Sequence, residues 1–300
     1  MKQDYPHHGI AVLCQLFGKT RHAYYDYLWR KDDYLIKDDV ILQEVKDIRA
    51  TLPRLGTRKL HYLLHSRLES HGMNIGRDYL FDLLSEHGLL IRRRKRYVVT
   101  TDSRHWMRKY SNLVKNMPVI RSEQVWVSDI TYIRMINQWG YLSLITDAYS
   151  RKIVGYNFRS DLAAEGCVEA LKMALKGRVY KKSLIHHSDR GSQYCSHHYV
   201  DLLISNGIGI SMTENGDPYE NALAERVNGI IKAEFNLYSS QLGFVETNNQ
   251  IRKSIEAYNQ LRPHSSCNYL TPDQAHHTED KLNKKWKNYK KKYNYENCFV

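Results

Sequence analysis

Three carboxylates stand out by their settings: Asp129, Asp189 and Glu225. Asp129 lies in a run rich in Val, Ile, Thr and Tyr, where an ionised group is out of place unless it meets a cleft, a cation or solvent. Asp189 falls where a strand-like segment gives way to Arg190-Gly191-Ser192-Gln193. The carboxyl end of a strand is the usual place for ligands in α/β sheets. Glu225 belongs to a helical segment that gathers Asn221, Asn228 and Lys232 on its own side, opposite Leu223, Val227, Ile230 and Ile231. Three oxygen donors from three elements suit magnesium or manganese. Two such ions about 3.5–4 Å apart clamp an in-line phosphoryl displacement, one activating the attacking hydroxyl and the other stabilising the leaving oxygen. Lys232, two turns beyond Glu225, falls where a phosphate backbone must pass. Taken singly, each acid also has a plain structural reading as strand-edge charge, turn former or solvated helix residue. Their coincidence on a basic chain favours the metal reading.

Other acids compete for these roles. Asp147 follows a strand and suits the capping of a turn to Ser150. Glu214 and Asp217 belong to the turn around Asn215-Gly216-Asp217-Pro218. Glu220, read as helical, points with Leu223 and Val227, away from Glu225.

The chain that must position these groups has 300 residues, enough for one to three domains with a substantial core. Its net charge of +13 and pI near 9.4 point to a polyanionic partner, nucleic acid or an acidic membrane surface. No apolar run is long enough to span a bilayer, and the first residues lack the apolar centre of a signal peptide, so a soluble, cytoplasmic protein is expected. The five cysteines are scattered, with no C-x-x-C pair, which supports neither a disulfide framework nor a zinc ribbon. Cys195, His197 and His198 lie close in sequence but lack a fourth zinc ligand.

Pattern divides the chain into five stretches. Residues 1–35 read as two short helices broken at Gly18-Lys19-Thr20, with Thr20 placed to cap the second. Residues 36–98 form a helical region with helices expected over 37–50, 57–68 and 75–84. Helix, turn, helix, with Arg58 and Lys59 nearby, fits a DNA-binding unit as well as it fits a helical bundle with solvated charges. The run Arg92-Arg93-Arg94-Lys95-Arg96 beside it suits the tracking of phosphates. Residues 99–116 read as a linker. From 117 to 279 the pattern becomes three strands, helix, strand, helix, strand, helix and a further helix. This predicts an α/β fold with a mixed sheet, an antiparallel meander first and crossover helices afterwards. Residues 280–300 form a lysine-rich tail.

Specific words then narrow the reading. Asp189 and Glu225 are separated by 35 residues, the Asp, Asp, Glu spacing of transposases and retroviral-type integrases. Trp126-Val127-Ser128-Asp129-Ile130-Thr131-Tyr132, His187-Ser188-Asp189-Arg190-Gly191-Ser192-Gln193-Tyr194 and Tyr219-Glu220-Asn221-Ala222 resemble the second-reading-frame transposase of the IS-three group of bacterial insertion sequences. Tyr258-Asn259, Arg262-Pro263-His264 and Pro272 resemble that family's closing motif, and Leu55-Gly56-Thr57-Arg58-Lys59-Leu60 its helical DNA-binding segment.

The resemblance covers roughly residues 50–275. It implies a ribonuclease-H-like five-stranded core, with Asp129, Asp189 and Glu225 as ligands of Mg2+ or Mn2+ and Lys232 as a DNA contact. It further implies strand cleavage and strand transfer at element ends, with terminal inverted repeats and target DNA as partners. Self-assembly on DNA and a helix-turn-helix protein from an upstream reading frame complete the expected partners. The zinc module of retroviral integrases is missing, so zinc is not expected. Two other activities share these features: a non-catalytic DNA-binding regulator, and a metal-dependent nuclease of the same fold.

Overall fold

The computed structural model describes residues 6–91, 106–214, 220–238, 242–278 and 282, with side chains 30–34 set aside. The chain divides into two compact units, one of Met1–Ala50 with Leu60–Leu90 and one of Thr51–Lys59 with Ile91–Val300.

The first unit is helical. Helix α1 spans Ile10–Leu16, α2 Arg21–Thr51, α3 Thr57–Glu69 and α4 Arg77–Glu86. Thr20 caps α2 as its position predicts, its Oγ1 accepting from the Ala23 N–H at 3.1 Å. The helices expected before residue 28 and over 37–50 are one continuous α2. No Gly or Pro interrupts that stretch, so nothing in the backbone stops the helix. Ile41, Val45 and Ile48 recur at helical spacing and are buried, as are Leu60, Leu64, Leu68, Leu80 and Leu84.

The second unit is built on five strands: β1 Val125–Arg134, β2 Trp139–Asp147, β3 Ile153–Arg159, β4 Ile185–Ser188 and β5 Gly209–Met212. Their order is β3-β2-β1-β4-β5, with β1 and β2 antiparallel, β2 and β3 antiparallel, and β4 parallel to both β1 and β5. This is the expected meander followed by crossovers, in a five-stranded mixed sheet. Helices α5 (Ala164–Lys176), α6 (Ser192–Cys195) and α7 (His197–Ser205) pack on one face over Trp126, Ile145, Cys167, Leu171, Tyr194, Tyr199 and Leu203. On the other face Val125, Val127 and Ala148 meet Ala224 of α8 (Ala222–Glu234). Period-two alternation along β1 therefore sends Val125, Val127 and Asp129 toward α8, and Trp126 and Ser128 toward α5–α7. At the crossing of α5 over β3 a Cβ on Gly155 would come within 2.1 Å of the Ala170 carbonyl, so only glycine lets the helix lie so close.

Helices α9 (Phe244–Gln260) and α10 (Pro272–His276) close the unit. Thr271 and Gln274 form a capping box at the start of α10, with Pro272 in its first turn. The residues of the closing motif act as a seam. Asn259 accepts from the Ile153 N–H at 3.0 Å and donates to the Ile153 carbonyl at 2.9 Å, standing in for a strand partner at the edge of β3. The Tyr258 hydroxyl donates to the Arg151 carbonyl at 3.0 Å.

Candidate active site

The parallel pairing of β1 with β4 brings two of the carboxylates together. Val127 stands opposite His187, and two residues further along each chain come Asp129 and Asp189. Asp129 continues in β1, whereas Asp189 lies just past the end of β4. There its Oδ1 accepts from the Gly191 N–H at 3.0 Å, which fixes the first bend of the loop. Beneath them a buried cluster ties strands and helix together. Ser128 Oγ and the Tyr199 hydroxyl each lie 2.7 Å from His186 Nε2. Burial, with a smaller contribution from His187, pushes the His186 pKa down to about 3, so the ring stays neutral.

Helix α8 supplies the third acid and two amides. Asn221 donates to the Ser128 carbonyl at 3.1 Å, and Asn228 donates to Asp129 Oδ2 at 2.8 Å. The helical stripe that reads as polar is therefore divided. Asn221 and Asn228 are buried against β1, and Glu225, one turn before Asn228, is exposed. Glu220 precedes the helix and is excluded from the site by its own contacts. Its carboxylate accepts from the Glu214 N–H, and its carbonyl lies 3.2 Å from His187 Nε2.

Burial first, and then the charges of Asp189 and Glu225, push the Asp129 pKa up to about 7, against the opposing hydrogen bond from Asn228. Asp129 thus feels both other acids. Crowded carboxylates of this kind favour a cation among them, and all three offer the hard oxygen donors that magnesium or manganese takes. Among the described residues, however, no three acidic, His or Cys side chains are drawn close enough to hold an ion as they stand. The donor type and the mutual charge fit a divalent ion; the ligand set is not closed.

The other expected contacts are dispersed. Lys232 lies on α8 with its Nζ 5.4 Å from the centre of the Tyr238 ring. Arg58 is exposed, whereas Lys59 is turned to Glu234 at 3.3 Å. Arg92, Arg93, Arg94, Lys95 and Arg96, and the lysine-rich tail beyond 282, lie outside the described residues. Asp147 is structural, its Oδ1 accepting from the Ser150 N–H at 2.8 Å and from the Ser150 hydroxyl at 2.8 Å. Asn228 as a partner of Asp129 is the residue sequence reasoning missed. Its position three residues after Glu225 was the available signal, because i and i+3 share a helix face.

Two family models, each described as integrase core domain, match residues 121–218 and 206–272. The 31 kDa protein of insertion element IS600 from Shigella sonnei is 34% identical over 265 residues, covering 87% of this chain and 96% of that protein. The transposase for insertion sequence element IS629 of Shigella sonnei is 29% identical over 246 residues, 82% of this chain and 80% of its own length. Transposase InsF for insertion sequence IS3A of Escherichia coli (strain K12) is 26% identical over 271 residues, 89% and 93% respectively. Among solved structures, the catalytic core domain of HTLV-2 integrase is similar at a TM-score of 0.43 and 22% identity, over 53% of this chain and 99% of that one. The chain belongs to the IS3 family of insertion-sequence transposases and carries an integrase-like core.

Proposed function

We propose that this protein cleaves DNA at the ends of an insertion sequence and joins the freed strand to another, by metal-dependent phosphoryl transfer at Asp129, Asp189 and Glu225. The observation that carries the reading is the adjacency of Asp129 and Asp189 at the β1–β4 junction, with the helix of Glu225 packed over Asp129 through Asn228. Divalent magnesium or manganese, when bound by these carboxylates, supplies charge neutralisation at the phosphate and activation of the attacking oxygen. The protein's part is placement. Strand β1 and the bend just past β4 hold two acids side by side, and Asn228 holds the Asp129 carboxylate in one orientation. Helix α8 presents Glu225 from the solvent side, where it can close on the other two. Lys232 and Arg58 serve as contacts to DNA phosphates, together with the basic run 92–96. The partners are the terminal inverted repeats and target DNA, bound by more than one copy of the chain, with an upstream-frame helix-turn-helix protein as the further partner.

The test is a strand-cleavage and joining assay on duplexes ending in the element's inverted repeats, with Mg2+ and the full-length chain. Joined products from wild type, absent with Asp189→Asn and Glu225→Gln, are expected. Joining that survives either substitution would remove the proposal. One second reading is a non-catalytic DNA-binding regulator that occupies the element ends without its partner reading frame. Binding of those ends without cleavage would support it, and free fragments without joined strands would mark a nuclease instead.

A further inference from the structure

Glu234 lies at the far end of the helix that carries Glu225, and it is held more firmly than a surface acid needs to be. Arg262 donates to it twice, Nε to Oε2 and Nη2 to Oε1, each at 2.7 Å. Lys59 Nζ donates to Oε1 at 3.3 Å, and the Arg54 N–H donates to the Glu234 main-chain carbonyl at 3.0 Å. The Arg262 side chain is only 2% exposed, and those of Glu234 and Lys59 are 19% and 20% exposed. Burial works to raise the Glu234 pKa, but Arg262 and Lys59 outweigh it and hold it below its ordinary value. Burial, then repulsion from Arg262, brings the Lys59 pKa down to about 8.

Two cations and one anion in so closed a space are a weak source of net stability, because each charge loses its hydration. A bidentate, buried arrangement is good at fixing geometry. At the carbonyl end of α8, where the last groups have no partner within the helix, the Glu234 carbonyl is met by the Arg54 N–H of the 51–59 segment. At the other end, the N-cap residue Asn221 makes no side-chain capping bond, its amide being spent on Ser128. The helix is thus steadied sideways near Glu225 and anchored lengthwise at Glu234. Nine residues, about 13 Å of helical rise, separate the two acids along one rod.

We propose that Glu234, gripped by Arg262 and Lys59, is a positioning residue that sets the reach of Glu225 toward Asp129 and Asp189. Residues 51–59 thereby belong to the machinery of the catalytic core. The inference rests on the phosphoryl-transfer reading above. It gives a task to Arg262 and Lys59, two residues of motifs that the chemistry at the carboxylates leaves unexplained. Displacement of a ligand by an ångström costs on the order of 100-fold in rate.

The experiment uses the full-length chain, element-end duplexes, and wild type beside Glu234→Gln, Lys59→Met and Lys59→Arg. Mn2+ binding by electron paramagnetic resonance, DNA affinity, circular dichroism and single-turnover cleavage are measured for each. Glu234→Gln and Lys59→Met should keep native circular dichroism and DNA affinity. They should bind Mn2+ several-fold more weakly and cleave roughly 10–100-fold more slowly, with Lys59→Arg restoring both. A folded Glu234→Gln protein with unchanged Mn2+ affinity and cleavage overturns the inference. So does a Lys59→Met protein whose only defect is weaker DNA binding. Should Glu234→Gln fail to fold, the Lys59 pair decides alone. Variants unaffected beside an active wild type overturn this inference only, whereas a wild type that binds its ends and never cuts, even with its partner protein, overturns the phosphoryl-transfer reading with it.

Discussion

Asn228 donates a 2.8 Å hydrogen bond to Asp129 Oδ2, so the helix that bears one acid also orients another. Hydrogen bonds to charged groups contribute about 1.5–3 kcal/mol, and each 1.4 kcal/mol or so is tenfold in rate. Asn228→Ala should therefore slow single-turnover cleavage by roughly 10–100-fold while leaving DNA affinity unchanged. An undiminished rate would mean that Asp129 is oriented by β1 alone.

A second prediction concerns Glu123 and His276, buried together beneath the start of β1. Glu123 Oε1 lies 3.4 Å from His276 Nε2, and the Ser150 hydroxyl lies 3.0 Å from Nδ1. For His276, burial works to lower the pKa, but hydrogen bonds to Asp147 and Glu123 outweigh it and hold it above its ordinary 6.5. For Glu123, burial works to raise the pKa, and hydrogen bonds from His276 and from the Val179 and Tyr180 N–H groups hold it below its ordinary 4.5. The raised histidine stabilises the fold below pH 6.5 and loses that contribution as pH rises through its folded value. The depressed glutamate stabilises above pH 4.5 and loses its share as pH falls through its folded value. The difference in unfolding midpoint between wild type and His276→Gln should be largest between those limits and shrink on both sides. A difference independent of pH would show that the cluster is held by packing.

Asn259→Ala should destabilise the catalytic unit by about 1–3 kcal/mol, the cost of leaving buried polar groups unpaired. Both the N–H and the carbonyl of Ile153 would lose their partner. Denaturant unfolding monitored by tryptophan fluorescence measures this, and a change below about 0.5 kcal/mol would indicate that water replaces the amide.

Gly155→Ala places a methyl group 2.1 Å from the Ala170 carbonyl and 2.9 Å from Ala174 Cβ. Helix α5 must then lift from β3, at about 1–3 kcal/mol for overpacking. A reduced unfolding midpoint is expected with cleavage retained in the folded fraction, since α5 lies on the face opposite α8.

Much of this was legible in the residues. Alternation of Val125, Val127 and Asp129, and the strand-ending Ser188-Asp189, point to the sheet and to two of the acids, because period two and loop chemistry are local signals. Helix α8 was legible as an element with one polar face, but not which of that face's residues are buried. Asn221 and Asn228 read only as companions of Glu225, and they are buried because β1 offers a carbonyl and a carboxylate to meet them. Such pairing is long-range and leaves no periodic trace. Lys59 illustrates the same limit. Its neighbourhood reads as a basic surface, and its partner Glu234 lies far along the chain. The merging of two expected helices into α2 has a simpler cause: a weak apolar stripe ends before the backbone has any reason to turn.

Strand β1 runs ten residues, and β4 covers only its first three. Among the described residues no strand pairs with Ser128–Arg134 on the β4 side, so most of a central strand behaves as an outer one. Open strand edges invite a second chain to add itself, and charged side chains discourage this. A carboxylate at position 129, on this open stretch, would discourage such pairing besides the metal-binding task proposed for it. An Asp129→Asn protein should be inert and also quicker to self-associate on concentration, so loss of activity in that variant needs to be read at a concentration where it is still monodisperse.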